Sequence, residues 1–352
     1  MAIECQLKYK AGDFLLDVDF ISKAKRIGIL GASGAGKSMT LKMMAGILSP
    51  DRGRIVVDGR ILFDRAGRID LKAQKRRAGY LFQNYALFPS MTTRQNIGIG
   101  IPEGQGDRDR IVSSLIRRFG LEGLENHYPS QLSGGQQQRA ALARILAAAP
   151  AFILLDEPFS ALDGHLRDRM NRELILQLED FPGTVIMVSH SRDEIYRFSE
   201  EILILDQGQL IDQGSREDVF AHPAGVRAAA LTGCKNFSRA ARTDDHHLRA
   251  LDWDLTIYTK QILPEKLTAI GYRAHDFIPV WGEEKENCLP FRLRYKDQLP
   301  FEQNYYICPS GRGDRPYEVI AWFVQRGLWP LLEEKGLPDF LQIQEQKLLL
   351  FG

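Results

Sequence analysis

The sequence predicts an α/β domain built on a largely parallel sheet, followed by a smaller, mostly β domain. Continuously apolar runs of strand length alternate with helical patterns: RIGILG (26–31), AGYLFQ (78–83), AFILLDEP (151–158), TVIMVSH (184–190) and EILILD (201–206). Runs of this kind suit strands buried on both faces of a parallel sheet. The first run leads directly into a glycine-rich turn, GASGAGKS, and then a helix-forming stretch. After about residue 230 the texture changes to short alternating runs, among them LDWDLTIY (251–258), KLTAIGYRAHDF, CLPFRLRYKD and NYYICP.

The helical patterns are KSMTLKMMAGIL after the first run, DRIVSSLIRRFG near 109–120, GQQQRAALARILAAA and HLRDRMNRELILQLED. Strands alternating with helices imply a parallel central sheet. CQLKYKAGDFLLDVDF and GRIVVDGRILF carry a polar face and predict a small antiparallel β subdomain beside it. The expected division is 1–232 and 233–352, with helical content in EVIAWFVQRGLWPLLEEKG near the end. A chain of 352 residues is long enough for two domains.

Hydrophobic content of 44% and charged content of 26% are those of a globular protein. The net charge of +1 gives no field for nucleic acid or an anionic membrane surface. Cys5, Cys234, Cys288 and Cys308 form no CxxC pair, which argues against a zinc site or disulfide framework and fits a reducing cytoplasm. MAIECQLKYKAGDF lacks the apolar region of a signal peptide. No run approaches the roughly 18 to 20 apolar residues of a spanning helix. Work at a membrane would therefore require docking onto a separate membrane protein.

Gly31, Ala32, Ser33, Gly34, Ala35, Gly36, Lys37 and Ser38 match GxxxxGK[ST] between a strand and a helix, the context the motif requires. The glycines let backbone N–H groups turn toward phosphate oxygens, and the helix N-terminus favours negative charge. Lys37 is expected on the β and γ phosphates and Ser38 on Mg²⁺. The strand 153–155 delivers Asp156 to the sheet edge where that metal would sit; Glu157, next in sequence, is a candidate general base. His190 and Gln83 end two further apolar strands. A second anion-binding signature, LSGGQQQR (132–139), opens the helix that follows it.

These motifs, with Ser160-Ala161-Leu162-Asp163 after the second strand, stand in the order and approximate spacing of an ABC transporter ATPase, which residues 1 to about 230 resemble. The resemblance implies an ABC ATPase fold with a helical signature subdomain and an antiparallel β subdomain, then a mostly β, OB-like C-terminal domain for regulation and dimer contacts. It implies ATP and Mg²⁺ as cofactors. Asp156, Ser38 and Gln83 would serve the metal, with Glu157 as base and His190 contacting the γ-phosphate. Met39 and Gln136 extend the two nucleotide loops. Ser133, Gly134, Gly135 and Gln136 would face the nucleotide of a second copy in a head-to-tail homodimer, and Asp163 would link the two sites. Phe14, or alternatively Tyr9, would stack on adenine. Ser191 departs from the pattern, because an acid often follows the histidine.

LFQNYALFPSMTTRQNI (81–97) resembles the importer branch, where this segment meets transmembrane permease subunits and, through them, a solute-binding protein. GRILFD, KRRAGYLFQ and GYRAHDF resemble the molybdate and sulfate group. The implied function is an import ATPase at the inner face of the plasma membrane, carrying an oxyanion such as molybdate, tungstate or sulfate. His246, His247, Arg292 and Arg294 are candidates for an anion site in the second domain. The competing readings are an importer of another solute (sugar, iron, phosphonate or polyamine), a soluble ABC-type ATPase acting on ribosomes or DNA, and an anion-sensing protein with hydrolysis secondary. The single cassette and the neutral charge disfavour the nucleic-acid reading.

Overall fold

The computed structural model describes residues 2–102, 104, 106–160, 164–310 and 319–352. The chain divides into two compact units, Met1–Glu217 and Asp218–Gly352.

In order, the first unit contains β1 (Ile3–Ala11), β2 (Phe14–Ser22), β3 (Arg26–Leu30), α1 (Lys37–Ala45), β4 (Arg52–Val57), β5 (Arg60–Asp64) and β6 (Ile69–Asp70). There follow α2 (Ala73–Arg76), β7 (Ala78–Leu81), α3 (Thr93–Gly98), α4 (Arg108–Arg118) and α5 (Gly134–Ala147). Then come β8 (Phe152–Asp156), α6 (Gly164–Gln177), β9 (Thr184–Ser189), α7 (Arg192–Phe198), β10 (Glu201–Asp206) and β11 (Gln209–Ser215).

These strands form one eleven-stranded sheet in the order β6-β5-β4-β1-β2-β11-β10-β3-β9-β8-β7. From β10 to β7 the neighbours are parallel. Every residue of β8 and β9 is buried, as their unbroken apolar runs require. β1 instead alternates buried and exposed residues over its first half and pairs antiparallel with β2 and β4. The expected antiparallel strands are therefore continuous with the main sheet, joined where Asp17 of β2 pairs with Gln209 of β11. Because β3, β7, β8 and β9 run parallel, their carboxyl ends lie on one edge, where ligands bind in open α/β sheets. Helices α3, α4 and α5 pack on one another as a helical group.

α8 (Arg216–Ala221) crosses the division at 217/218. The second unit continues with α9 (Val226–Leu231), β12 (Asn236–Arg242), β13 (His247–Ala250), β14 (Leu255–Tyr258), β15 (Ala269–Tyr272), β16 (Ile278–Val280) and β17 (Cys288–Gln298). It ends with β18 (Glu302–Pro309), β19 (Ile320–Gln325), α10 (Trp329–Lys335), β20 (Phe340–Gln342) and β21 (Leu349–Phe351). The strands form two five-stranded sheets, β14-β13-β12-β15-β21 and β16-β20-β17-β18-β19, around a core that includes Leu248, Tyr272, Ile307 and Trp322. The unit is mostly β, as expected.

The compact units part at 217/218, ahead of α9, whose Ala229 packs with Cys234, Leu349 and Phe351 of the second unit. The helical content expected within EVIAWFVQRGLWPLLEEKG is α10, which begins at Trp329; Ile320–Gln325 before it is β19. Ile320, Trp322 and Val324 face the core with period two, a strand's spacing.

Candidate functional site

The turn between β3 and α1 is built for close approach of an anion. Gly36 has φ 99°, and a Cβ there would stand 2.4 Å from Leu16 Cδ1. Gly34 has φ 80°, and a Cβ on it would meet nothing within 4 Å, so its left-handed backbone opens to solvent. Lys37 is 4% exposed; its Nζ donates to Gly31 O and Ala32 O, both at 2.9 Å. Burial pushes its ammonium pKa down, while the charges of Glu157 and Asp156 pull it up.

A cavity of about 300 Å³ is lined by Ser33, Gly34, Ala35, Gly36, Lys37, Ser38, Met39, Gln83 and Glu157. Ser33 to Met39, assigned to nucleotide from the sequence, thus share one space with Gln83 and Glu157. Gln83 also lines an adjoining cavity with Lys42, Phe82, Asn84, Asp156 and Ser160. Ser38 Oγ donates to Asp156 Oδ1 at 2.6 Å. A hydroxyl beside a carboxylate suits a hard cation completed by water and phosphate oxygens. Among the described residues no cluster of three or more His, Cys, Asp or Glu forms an all-protein metal cage.

Glu157 sits at φ 45°, an uncommon conformation for a residue with a Cβ. Its N–H donates to Val188 O at 3.1 Å, which ties the turn to β9. Glu157 Oε1 lies 3.9 Å from Lys37 Nζ, and Oε2 lies 3.2 Å from His190 Nδ1. Ser191 caps α7, its Oγ accepting from the Glu194 N–H at 3.4 Å. Ser189 Oγ donates to Glu194 Oε2 at 2.6 Å, and burial pushes the Glu194 carboxyl pKa up. The acid missing at 191 is thus matched by one a turn later, directed at the preceding serine.

Ser133 caps α5, with Ser133 N–H on Gln136 Oε1 at 2.8 Å and Gln136 N–H on Ser133 Oγ at 3.4 Å. None of Ser133, Gly134, Gly135 and Gln136 lines the cavity around Lys37. Phe14 packs against the glycine turn, its Cζ 3.3 Å from where a Gly36 Cβ would stand. Tyr9 is partly buried against the core. Asp163 lies outside the described residues. His247 Nδ1 is engaged by Asp244 at 2.9 Å and His246 Nδ1 by Thr259 O at 3.1 Å, while Arg292 and Arg294 lie on β17. Sequence reasoning passed over Tyr80, whose hydroxyl donates to Asp156 Oδ2 at 2.7 Å. The available signal was a phenol inside an apolar strand, since a buried tyrosine hydroxyl usually finds a partner.

Residues 16–160 match the family described as ABC transporter. The sulfate/thiosulfate import ATP-binding protein CysA of Thermosynechococcus vestitus is 36% identical over 253 residues, covering 71% of this chain and 73% of that protein. The chain belongs to the ABC transporter ATPase family. Its likeness to other members is graded. CysA of Synechocystis sp. is 40% identical over 231 residues, 63% of this chain; the match spans 62% of that relative's length. The molybdenum import ATP-binding protein ModC of Paramagnetospirillum magneticum is 35% identical over 234 residues, 66% of this chain and 63% of the relative. The Fe(3+) ions import ATP-binding protein FbpC of Pseudomonas fluorescens is 39% identical over 209 residues, 59% of this chain and 58% of the relative. Among solved structures, the ATP-binding cassette MJ0796, a dimer in a post-hydrolysis state bound to ADP and Pi, is 30% identical with a TM-score of 0.51. That likeness covers 61% of this ABC ATPase and 99% of the solved chain.

Proposed function

We propose that this ABC ATPase hydrolyses Mg²⁺–ATP in a head-to-tail homodimer, as the motor subunit of an importer on the inner face of the plasma membrane. The observation that carries the reading is the position of the Glu157 carboxylate, 3.9 Å from Lys37 Nζ and 3.2 Å from His190 Nδ1. A base there can take a proton from water aimed at the γ-phosphorus. The bond from that phosphorus to the β–γ bridging oxygen breaks, and ADP and phosphate leave.

Phosphoryl transfer is mostly positioning and charge stabilisation, so each residue has a holding role. The 31–37 backbone and Lys37 hold the β and γ phosphates, and Met39 extends the loop into α1. Ser38, Asp156 and Gln83 would hold Mg²⁺, which would neutralise charge on the phosphate oxygens. His190 contacts the γ-phosphate, and Phe14 or Tyr9 stacks on adenine. Ser133, Gly134, Gly135 and Gln136 of one copy close on the nucleotide of the other, and Asp163 links the two sites. The isolation of residues 133–136 from the chain's own cavity and the dimeric state of MJ0796 support this arrangement.

The import role is supported by its relatives, which are import ATP-binding proteins, and the 83–97 segment is the proposed contact with the permease. Their solutes include sulfate/thiosulfate, molybdenum and Fe(3+), and we favour an oxyanion. The second unit is proposed to mediate dimer contacts and regulation. Molybdate, tungstate and sulfate titrated into the full-length protein should alter ATP turnover if the second unit senses the anion; unchanged turnover and no binding heat would remove that role. Hydrolysis itself is tested by Glu157→Gln, which should bind ATP, lose turnover and accumulate as a dimer on a sizing column.

A further inference from the structure

Asp156, 6% exposed at the end of β8, has a hydrogen-bond donor on each carboxylate oxygen. Ser38 Oγ donates to Oδ1 at 2.6 Å, and the Tyr80 hydroxyl donates to Oδ2 at 2.7 Å. The two donors respond differently to a cation. Ser38 keeps oxygen lone pairs free, so its hydroxyl can turn and become a ligand. Tyr80 is fixed in β7, in register with Leu154 of β8, two residues before Asp156. Its ring packs on Phe82 with centroids 4.5 Å apart.

We propose that Tyr80 is a positioning residue for the metal site. By holding Oδ2, it fixes the plane of the Asp156 carboxylate and presents Oδ1 toward Ser38 and the phosphate turn. The proposal rests on the Mg²⁺–nucleotide reading given above. A carboxylate without this restraint rotates about its last bond and spends part of its time turned from the cation. Loss of the hydroxyl then weakens the metal's contribution and leaves the nucleotide's own contacts alone.

The test measures affinity of the full-length protein for a non-hydrolysable ATP analogue, once with Mn²⁺ and once in EDTA. The ratio of the two affinities is the gain due to metal. Tyr80→Phe keeps the ring, and should cut that gain roughly tenfold, the equivalent of one net hydrogen bond. Its affinity in EDTA should match wild type, and the electron paramagnetic resonance spectrum of bound Mn²⁺ should change. An unchanged gain in Tyr80→Phe would overturn the proposal. So would an equal loss with and without metal, since that assigns Tyr80 to packing. If wild type itself gains nothing from Mn²⁺, the metal reading of the site fails and this proposal falls with it.

Discussion

At the scale of single residues, the site depends on groups held where ordinary propensity would not put them. Glu157 adopts φ 45°, a conformation that costs on the order of 1–3 kcal/mol, and its N–H bond to Val188 O holds it there. Glu157→Gln keeps that backbone and the contact geometry while removing the base. Turnover should fall roughly 10²- to 10⁴-fold with ATP affinity retained, by steady-state hydrolysis and equilibrium binding; equal turnover would remove Glu157 from the base role. Lys37→Ala should abolish tight ATP binding, because it removes an ammonium lining the cavity; unchanged affinity would contradict the phosphate role. The placement of residues 31–38, Asp156 and Glu157 was legible in the sequence because each set is contiguous and directly follows a strand. Tyr80 was not: its partner lies 76 residues away, and only the pairing of β7 with β8 brings the two together.

At the scale of elements, the helix after the phosphate turn is anchored at its C-terminal end. Gly36 precedes α1, and the buried Arg76 guanidinium gathers its C-terminal carbonyls. Arg76 Nη1 donates to Met43 O at 2.6 Å and Met44 O at 3.1 Å, Nε to Leu71 O at 2.7 Å, and Nη2 to Asp70 Oδ1 at 2.8 Å. Cations at a helix C-terminus are favourable, and this one is also packed along its stem. Arg76→Ala should destabilise the first unit by at least about 1.5–3 kcal/mol, seen as a lower denaturant midpoint, with larger loss expected if the freed carbonyls stay buried. An unchanged midpoint would show that α1 needs no such clamp. Arg144 of α5 similarly holds the segment after β7, donating to Ala86 O at 2.8 Å and Tyr85 O at 3.1 Å. The strands of the parallel sheet were legible as unbroken apolar runs. Arg76 was not, because nothing near KRRAGYLFQ marks which of three adjacent cations turns inward. Where strand gives way to helix between Ile320 and Lys335 was not legible either, because alternation in a short, aromatic-rich run competes with a helical pattern just downstream, and tertiary packing decides.

At the scale of the whole molecule, one chain carries two anion-binding signatures that do not share a cavity. Lys37 lines one, and the capped N-terminus of α5 at Ser133 stands apart from it. Within a single copy the second is redundant; across a two-fold axis the two would complete each other twice. The central claim is therefore a composite site, and mixing two inactive variants tests it most directly. Ser133→Arg keeps its own phosphate turn but blocks the partner's nucleotide, whereas Lys37→Ala loses its own nucleotide but keeps a good α5 terminus. Each alone should be inactive. Mixed as a heterodimer, they should recover ATP hydrolysis from the one site formed by the intact turn of the first and the intact Ser133 of the second. A heterodimer that forms and yet hydrolyses no more ATP than either variant alone would contradict the account.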